Sequence, residues 1–189
     1  GLLKDDSFLE AGARYEGYLF PDTYRMYKDF TAEDLITKMR ANFEKKLTPD
    51  LREAMEKSGH SPEDIIIMAS ILEKEVRTEE EMKIVSGLFW DRMKVGQALQ
   101  SCATLAYILG VNKAQYSYED TQIVSPYNTY QHRGLPPGPV SNPGLRAIKA
   151  AIYPTKTDYN YFLSRPDTGE TVFSVTLDEH NAAKAKYLK

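Results

Sequence analysis

Residues 61–77 (SPEDIIIMASILEKEVR) constrain the fold most, because they form a predicted helix that is too apolar to keep one face in water. Ser61 is a typical N-cap, and Pro62 suits the first helical position. Seven of the eight residues 65–72 are apolar, with Ser70 as the exception. A surface helix carries a narrower apolar stripe. The segment therefore predicts a central, mostly buried helix over residues 62–77.

Two carboxylates, Glu73 and Glu75, lie at the end of this predicted helix, where burying an unpaired charge is costly. A helical side chain meets the residues three and four positions before it. For Glu75 these are Leu72 and Ile71, both apolar, whereas for Glu73 they are smaller and partly polar. The apolar neighbours predict a raised pKa for Glu75, and hence a proton donor near neutral pH. The alternative, from the helix alone, is that both glutamates are solvated charges at a helix end.

Length and composition describe one ordinary globular domain and exclude several classes of function. The chain has 189 residues, 42% hydrophobic and 27% charged, and its net charge of −3 offers no basic footprint for nucleic acid. The single cysteine, Cys102, excludes an internal disulfide. The three histidines lack metal-ligand spacing and no nucleotide-binding motif occurs, so we expect neither a metal nor a cofactor. No apolar run approaches the length of a membrane span.

The remaining pattern predicts several short helices followed by a hairpin. Capping residues predict further helix starts at Thr31, Thr48, Thr78, Ser101, Asn142 and Thr176. Alternation in residues 159–164 and 171–176 predicts a β-hairpin. The expected fold class is α+β: a mainly helical, lysozyme-like domain with a central buried helix and a small β-hairpin. Residues 1–14 are weakly patterned and are expected to be an N-terminal connector or tail, with the domain spanning residues 15–189.

Residues 125–144 (SPYNTYQHRGLPPGPVSNPG) form a long segment without any regular period. A loop of this length in a compact domain is usually functional or disordered, and its interleaved tyrosines and near absence of charge argue against disorder. Rigid prolines beside Tyr127, Asn128 and Thr129 suit hydrogen bonding to a polar ligand such as a sugar. The alternative is that the Asn and Thr side chains only stabilise turns.

Seven short strings resemble the endolytic murein transglycosylase family, also called the YceG-like family. They are 16–24 (EGYLFPDTY), 69–75 (ASILEKE), 99–101 (LQS), 127–130 (YNTY), 134–139 (GLPPGP), 142–144 (NPG) and 179–181 (EHN). Each string is weak alone, but the seven occur in the family's order and cover nearly the whole chain. The resemblance is therefore specific.

The resemblance implies a bacterial cell-wall enzyme whose catalytic domain lies outside the cytoplasm. A single N-terminal helix, which we expect to lie outside this sequence, would anchor it in the cytoplasmic membrane. Expected partners are peptidoglycan glycan strands, together with cell wall synthases or division and elongation proteins, but no nucleic acid. The family's catalytic acid is the second glutamate of its Glu-x-Glu string, which corresponds to Glu75. The resemblance and the apolar neighbours thus select the same carboxyl group.

Six residues are expected to contact or support the sugar substrate beside this acid. Contacts with the N-acetyl and hydroxyl groups are predicted for Gln100, Ser101, Tyr127, Asn128 and Thr129, with Glu73 as a supporting charge. Two departures from the family pattern stand out. Cys102 occupies a position where Asp is usual, so this chain lacks that carboxylate, and Asp91-Arg92-Met93 replaces an Asn-Arg-Leu string.

The expected reaction needs one carboxyl group, whereas most glycosidases use a pair. Glu75 would protonate the oxygen between MurNAc and GlcNAc, and the 6-hydroxyl of the same muramic sugar would attack its C1 to leave a 1,6-anhydro end. Two alternatives remain. One is a hydrolytic muramidase in which a second carboxylate, such as Glu16, activates water. The other is a noncatalytic domain that binds peptidoglycan or assists its assembly.

Overall fold

A computed structural model describes residues 7–113 and 115–188 of the chain. The elements are α1 (Ser7–Ala13), α2 (Ala32–Lys46), α3 (Pro49–Lys57), α4 (Pro62–Glu75), α5 (Glu79–Lys94), α6 (Cys102–Leu109), α7 (Tyr118–Thr121), α8 (Leu145–Ile152), β1 (Tyr161–Ser164), β2 (Thr171–Ser174) and α9 (Leu177–Tyr187). Within the described ranges, no helix combines the length and apolarity needed to cross a membrane. The predicted α+β class is confirmed, while its lysozyme-like character stays a prediction.

Helix α4 is the buried centre of the fold, as predicted. All of residues 65–72 are buried, and α4 packs against α3, α5, α6 and α8. The Ser61 hydroxyl caps the helix by accepting a hydrogen bond from the Asp64 amide at 3.0 Å. The helix ends at Glu75, two residues earlier than predicted, because Val76 adopts an extended conformation with φ −141°. Both glutamates of interest therefore lie in the last turn, where the chain leaves the core.

Most predicted helix starts are confirmed because a cap is a local interaction. Capping boxes join Thr31 to Asp34, Thr78 to Glu81 and Thr176 to Glu179. In each box the hydroxyl accepts a bond from the third helical amide, and the acidic side chain accepts one from the cap amide. Donor and acceptor are three residues apart, so the sequence alone places them in contact.

One predicted cap, Asn142, is wrong, and a second, Ser101, is confirmed in position only, because long-range partners bind both side chains. Gly144, and not Asn142, is the N-cap of α8. The Asn142 Oδ1 atom accepts hydrogen bonds from the amides of Gly17 at 2.9 Å and Leu19 at 3.0 Å. Ser101 does occupy the N-cap position of α6 but makes no capping bond with its side chain. Its hydroxyl is used in the site described below.

The predicted hairpin is confirmed and extends the helical body at one side. Strands β1 and β2 are antiparallel, with Tyr161 opposite Ser174 and Ser164 opposite Thr171. Helix α9 packs against both strands. The Glu81 carboxylate joins the hairpin to α5, because its Oε1 accepts a bond from the Thr171 amide at 3.1 Å.

The N-terminal region contains a helix that its weak patterning did not predict. Helix α1 packs against α2, and its Gly12 is buried. Residues 1–6 lie outside the described residues. The division into a connector at residues 1–14 and a domain at residues 15–189 stays a prediction.

Ser70 ties the loop before α8 to the central helix. Its Oγ donates to Ile67 O at 2.7 Å and accepts from the buried Val140 amide at 3.0 Å, while Ser70 O accepts from Ser141 Oγ at 2.8 Å. We expect Ser70→Ala to lower the free energy of unfolding by about 1–3 kcal/mol, because the Val140 amide loses its acceptor inside the protein. Urea denaturation measures this change.

Ser86 supplies a matched control for that prediction. It is equally buried on a neighbouring helix, and its Oγ has no hydrogen-bond partner among the described residues. Ser86→Ala should therefore leave stability unchanged or increase it. Equal losses from the two substitutions would contradict the role given to the Ser70 hydroxyl.

Candidate active site

Glu73 and Glu75 each meet the beginning of a different helix. The Glu75 Oε1 atom accepts hydrogen bonds from the Ser101 hydroxyl and from the Ala103 amide, the latter at 2.9 Å, at the start of α6. The Glu73 Oε2 atom accepts a bond from the Gly144 amide at 3.0 Å, at the start of α8. A carboxylate is favoured at a helix N-terminus because unpaired amides and the positive end of the helix dipole lie there. The last turn of α4 thus joins two further helices through two carboxylates.

Two opposing effects set the protonation of Glu75. Burial raises the pKa of this carboxyl above its ordinary value, while the Ser101 hydroxyl, the Ala103 amide and the charge of Arg92 oppose the rise. The net direction is upward, so the predicted direction is confirmed. Both hydrogen bonds use Oε1, and a proton on Oε2 is compatible with them. The site therefore tolerates the acid and retains donors for the anion.

A closed ring of hydrogen bonds fixes Ser101 opposite Glu75. The Ser101 amide donates to Thr129 Oγ1 at 3.0 Å, and Thr104 Oγ1 donates to Ser101 O at 2.8 Å. The hydroxyls of Thr104 and Thr129 lie 2.9 Å apart, so the Thr129 proton closes the ring. All three residues are buried. Thr104 was missed from the sequence, because only the fold brings residue 129 against residues 101 and 104.

Gln100 has the only positive φ angle of a non-glycine residue in the described part of the chain, at 51°. This left-handed conformation costs free energy in a residue with a side chain, and it is common near functional sites. The Gln100 amide donates to Thr129 O at 3.0 Å, which holds the strained segment in place. The residue is exposed beside Ser101, so its predicted contact with substrate is sterically open.

Asn128 and Thr129 are both buried, and both side chains are satisfied within the protein. The Asn128 amide group donates to Thr121 O at 3.1 Å and Ile123 O at 2.8 Å, and its Oδ1 accepts from the Tyr130 amide at 3.0 Å. This geometry favours the alternative in which Asn and Thr stabilise the loop. Direct contact of either residue with a sugar stays a prediction.

Tyr127 forms an aromatic surface together with Tyr107 of α6. Their ring centres lie 4.9 Å apart with the rings tilted by 37°. The Tyr107 hydroxyl donates to Glu16 Oε2 at 2.7 Å, which fixes the ring and occupies that carboxylate. Tyr107 is exposed and Tyr127 is half-buried. The pair presents the kind of apolar face on which a sugar ring packs, consistent with the substrate contact predicted for Tyr127.

Cys102 pairs with Tyr130 beside the carboxyl of Glu75. The Cys102 sulfur lies 3.3 Å from the Tyr130 hydroxyl. Burial and the nearby Glu75 raise the pKa of Cys102 to about 11, although part of the residue reaches solvent. The thiol therefore stays protonated at neutral pH, and a thiolate nucleophile is disfavoured here.

The described residues contain no group of three His, Cys, Asp or Glu side chains that could hold a metal ion. Two of the histidines instead stack on aromatic rings. His60 lies 3.6 Å from the ring centre of Trp90, and His180 lies 5.3 Å from that of Tyr161. Their positions indicate packing roles in the parts of the chain that the structure describes.

Comparison with known proteins gives consistent matches over nearly the whole chain. The family model described as the YceG-like family matches residues 2–186. The chain is 39% identical to an endolytic murein transglycosylase of Bacillus subtilis over 92% of its own length and 48% of that protein. It is 34% identical to an endolytic murein transglycosylase of Streptococcus pneumoniae over 99% of its own length and 35% of that protein. The chain thus spans half or less of these curated relatives.

A solved structure agrees with the same assignment at the level of the fold. The crystal structure of a putative yceG-like protein from Listeria monocytogenes superposes with a TM-score of 0.83 at 38% sequence identity. The superposition covers 95% of this chain and 59% of the other.

Proposed function

Because the chain belongs to the YceG-like family, we propose that it is the catalytic part of an endolytic murein transglycosylase. Its substrate would be the nascent peptidoglycan glycan strand, cut within the chain at the β-1,4 bond between MurNAc and GlcNAc. Such cuts would terminate strands during cell wall assembly. The names of the curated relatives support the reaction class.

The observation that carries this proposal is the position of Glu75. Burial of its carboxyl favours the protonated acid, whereas the hydrogen bond from the start of α6 favours the carboxylate. A group that donates a proton and then takes one back needs both forms to be accessible. Glu75 meets this requirement at the end of a buried helix.

In the proposed reaction, Glu75 gives its proton to the glycosidic oxygen as the bond to C1 of MurNAc breaks. The 6-hydroxyl of the same sugar forms a bond to C1, and its proton passes to the carboxylate of Glu75. The products are a GlcNAc hydroxyl end and a 1,6-anhydro-MurNAc end, and Glu75 is protonated again. An intramolecular nucleophile supplies part of the rate because it is already close to the reacting carbon.

Each of the two neighbouring carboxylates has a hydrogen-bond donor inside the protein. Glu16 accepts a hydrogen bond from Tyr107, and Glu73 accepts one from the Gly144 amide. Neither is among the hydrogen-bond partners of Glu75. A hydrolytic muramidase would need a second carboxylate free to activate water. The lytic reaction needs no such base, so it is consistent with these contacts, and the names of the curated relatives support it.

Properties of the whole protein are part of the same proposal and rest on the family resemblance. We propose that the full-length protein is held at the bacterial cytoplasmic membrane by one N-terminal helix, with this domain outside the cytoplasm. Cell wall synthases or division and elongation proteins are the proposed partners. Fractionation of cells that carry the full-length protein would test the location.

Mass spectrometry of the glycan products tests the chemistry directly. We expect purified protein to release fragments that end in 1,6-anhydro-MurNAc, each lighter than the corresponding reducing fragment by one water. Incubation in H₂¹⁸O should leave these ends unlabelled, because no water adds at C1. A commercial muramidase, treated in parallel, supplies the labelled, reducing-end control.

The other outcomes separate the alternatives. Reducing ends that carry ¹⁸O would show a hydrolytic muramidase and overturn the lytic proposal. Binding of glycan strands with no cleavage under any condition would favour the noncatalytic alternative. Release of fragments only from strand ends would contradict the endolytic part of the proposal.

A further inference from the structure

We propose that Arg92 is a positioning residue for the acid Glu75, which it serves by holding the segment before α6 and by favouring the carboxylate once the proton has left. The inference rests on the proposed role of Glu75 and extends it to a residue that never contacts the carboxyl group in a hydrogen bond. The contacts of the guanidinium carry it, and the charges around it support it.

The guanidinium of Arg92 is buried and donates hydrogen bonds to neutral oxygens. Only 6% of the residue surface is exposed. It donates to Leu99 O and Asn160 O, and its Nε donates to Asn160 Oδ1 at 3.3 Å. The backbone takes part as well, because Arg92 O accepts a bond from the Gln97 amide at 2.8 Å. Arg92 thus fixes residues 97–99 from both its backbone and its side chain.

The segment held by Arg92 continues to Ser101, which contacts Glu75. Leu99, whose carbonyl accepts from the guanidinium, is followed by the strained Gln100 and then by Ser101. The Ser101 hydroxyl donates to Glu75. A strained residue persists only where its surroundings hold it on both sides. Arg92 holds the Leu99 side, and the Thr129 carbonyl and hydroxyl hold the Gln100 and Ser101 amides.

The charge of Arg92 has no carboxylate ion-pair partner within 4 Å in the described residues. Burial lowers the pKa of Arg92, and the acidic groups that oppose this are Tyr161, Tyr130 and Glu75. Burial also raises the pKa of Tyr130, so that phenol stays neutral. Glu75 is therefore a nearby acid whose ionisation at ordinary pH the buried cation can favour.

The groups around Glu75 come from two helices and include one cation. From α6 and the residue before it come the Ser101 hydroxyl and the Ala103 and Cys102 amides, and from α5 comes the charge of Arg92. The thiol of Cys102 and the phenols of Tyr130 and Tyr116 also lie in this electrostatic environment, and all three have raised pKa values because of burial. Arg92 is thus the cation that stabilises the carboxylate left by proton donation.

The test combines two substitutions with a titration that needs no activity. Protein labelled with ¹³C at the glutamate carboxyl carbon is titrated by NMR, and the Glu75 signal is identified by its absence in Glu75→Gln. Removing the cation in Arg92→Met should move the Glu75 midpoint to higher pH, because the charge that lowered it is gone. The alkaline limb of kcat should move in the same direction, and kcat should fall about tenfold with little change in KM.

Arg92→Lys separates charge from position. It keeps a cation but cannot make the forked contact with Leu99 and Asn160. We expect a midpoint near that of the unmodified protein, together with a reduced kcat. If Arg92→Met does not fold, Arg92→Lys still tests the positioning role. A lysine variant with unchanged kcat would overturn that role.

Glu81→Ala is the matched control for stability. It removes another bond between α5 and the hairpin, at the Thr171 amide, and a helix cap. In Glu81→Ala, the midpoint of the Glu75 titration and the alkaline limb of kcat should stay unchanged, even if the variant is less stable. An unchanged midpoint in Arg92→Met, or an equal shift in Glu81→Ala, would overturn the inference. Cleavage that survives in Glu75→Gln would instead overturn the proposed function and leave the titration result valid.

Discussion

Replacing Glu75 by glutamine should lower the rate of glycan cleavage by about 100- to 10,000-fold, because the reaction loses its proton donor. Glutamine has nearly the same shape, and its carbonyl oxygen can still accept bonds from the Ser101 hydroxyl and the Ala103 amide. The fold and the affinity for glycan strands should therefore persist. The loss should appear in kcat, with KM little changed, because proton transfer belongs to the transition state.

The measurement is product formation by purified protein, followed by mass spectrometry, with binding to glycan strands measured in parallel. Glu63→Gln is the matched control, since Glu63 is an exposed glutamate in the first turn of the same helix. It should cost about 0.3–1 kcal/mol of helix stability and leave kcat unchanged. Cleavage by Glu75→Gln at the rate of the Glu63→Gln control would exclude Glu75 as the acid.

Replacing Glu75 by glutamine should also remove a pH dependence of stability that begins above the ordinary pKa of glutamate. The folded protein raises the pKa of Glu75, so the folded state holds this proton more tightly than the unfolded chain. The associated stability is fully present below the ordinary pKa of glutamate and is lost as pH rises through the raised value. Glutamine does not titrate. The difference in unfolding free energy between Glu75→Gln and the unmodified protein should therefore increase over this range of pH.

Gly17→Ala should lower the free energy of unfolding by about 2–4 kcal/mol. Gly17 has φ 89°, a conformation that favours glycine, and its backbone lies against the loop that precedes α8. A Cβ atom would clash with the Pro139 ring, 2.7 Å from its Cβ, and would lie 3.2 Å from Ile66 Cγ2. Ile66 is buried and Pro139 is half-buried against Gly17, so moving both away from an added Cβ would cost free energy.

Gly59→Ala isolates the conformational part of this effect. Gly59 has a similar φ of 82°, but nothing lies within 4 Å of the added Cβ. It should cost only about 1 kcal/mol, from the left-handed conformation. Urea denaturation of both variants gives the comparison, and the difference reports the contact with Pro139. Equal losses at the two positions would show that this contact does not limit the packing of the loop.

The helices and the hairpin could be predicted from the sequence because their signals are local. The Thr78 hydroxyl and Glu81 satisfy each other across three residues, and the apolar run in residues 65–72 leaves the middle of α4 no exposed side. Glu75 could also be selected, since its apolar neighbours one turn back are set by helix geometry. The resemblance to a known family pointed to the same residue.

The hydrogen-bond partners of several other side chains could not be predicted from the sequence. Asn142 has the character of a helix cap, yet it binds the amides of Gly17 and Leu19, more than 120 positions away. Asn128 and Thr129 have the character of ligand-binding residues, yet both are buried and bonded within the protein. A polar side chain takes the best partner available, and distant partners are known only after folding.

The sequence by itself determined that one apolar helix occupies the centre of this protein and that its last turn carries two glutamates. Only the tertiary structure decided which groups those glutamates contact. It placed the start of α8 against Glu73 and the start of α6 against Glu75, and it brought the charge of Arg92 near the second one. The physical reason is that helix formation depends on neighbours within one turn, whereas the proton affinity of a carboxyl depends on every group that packing brings around it.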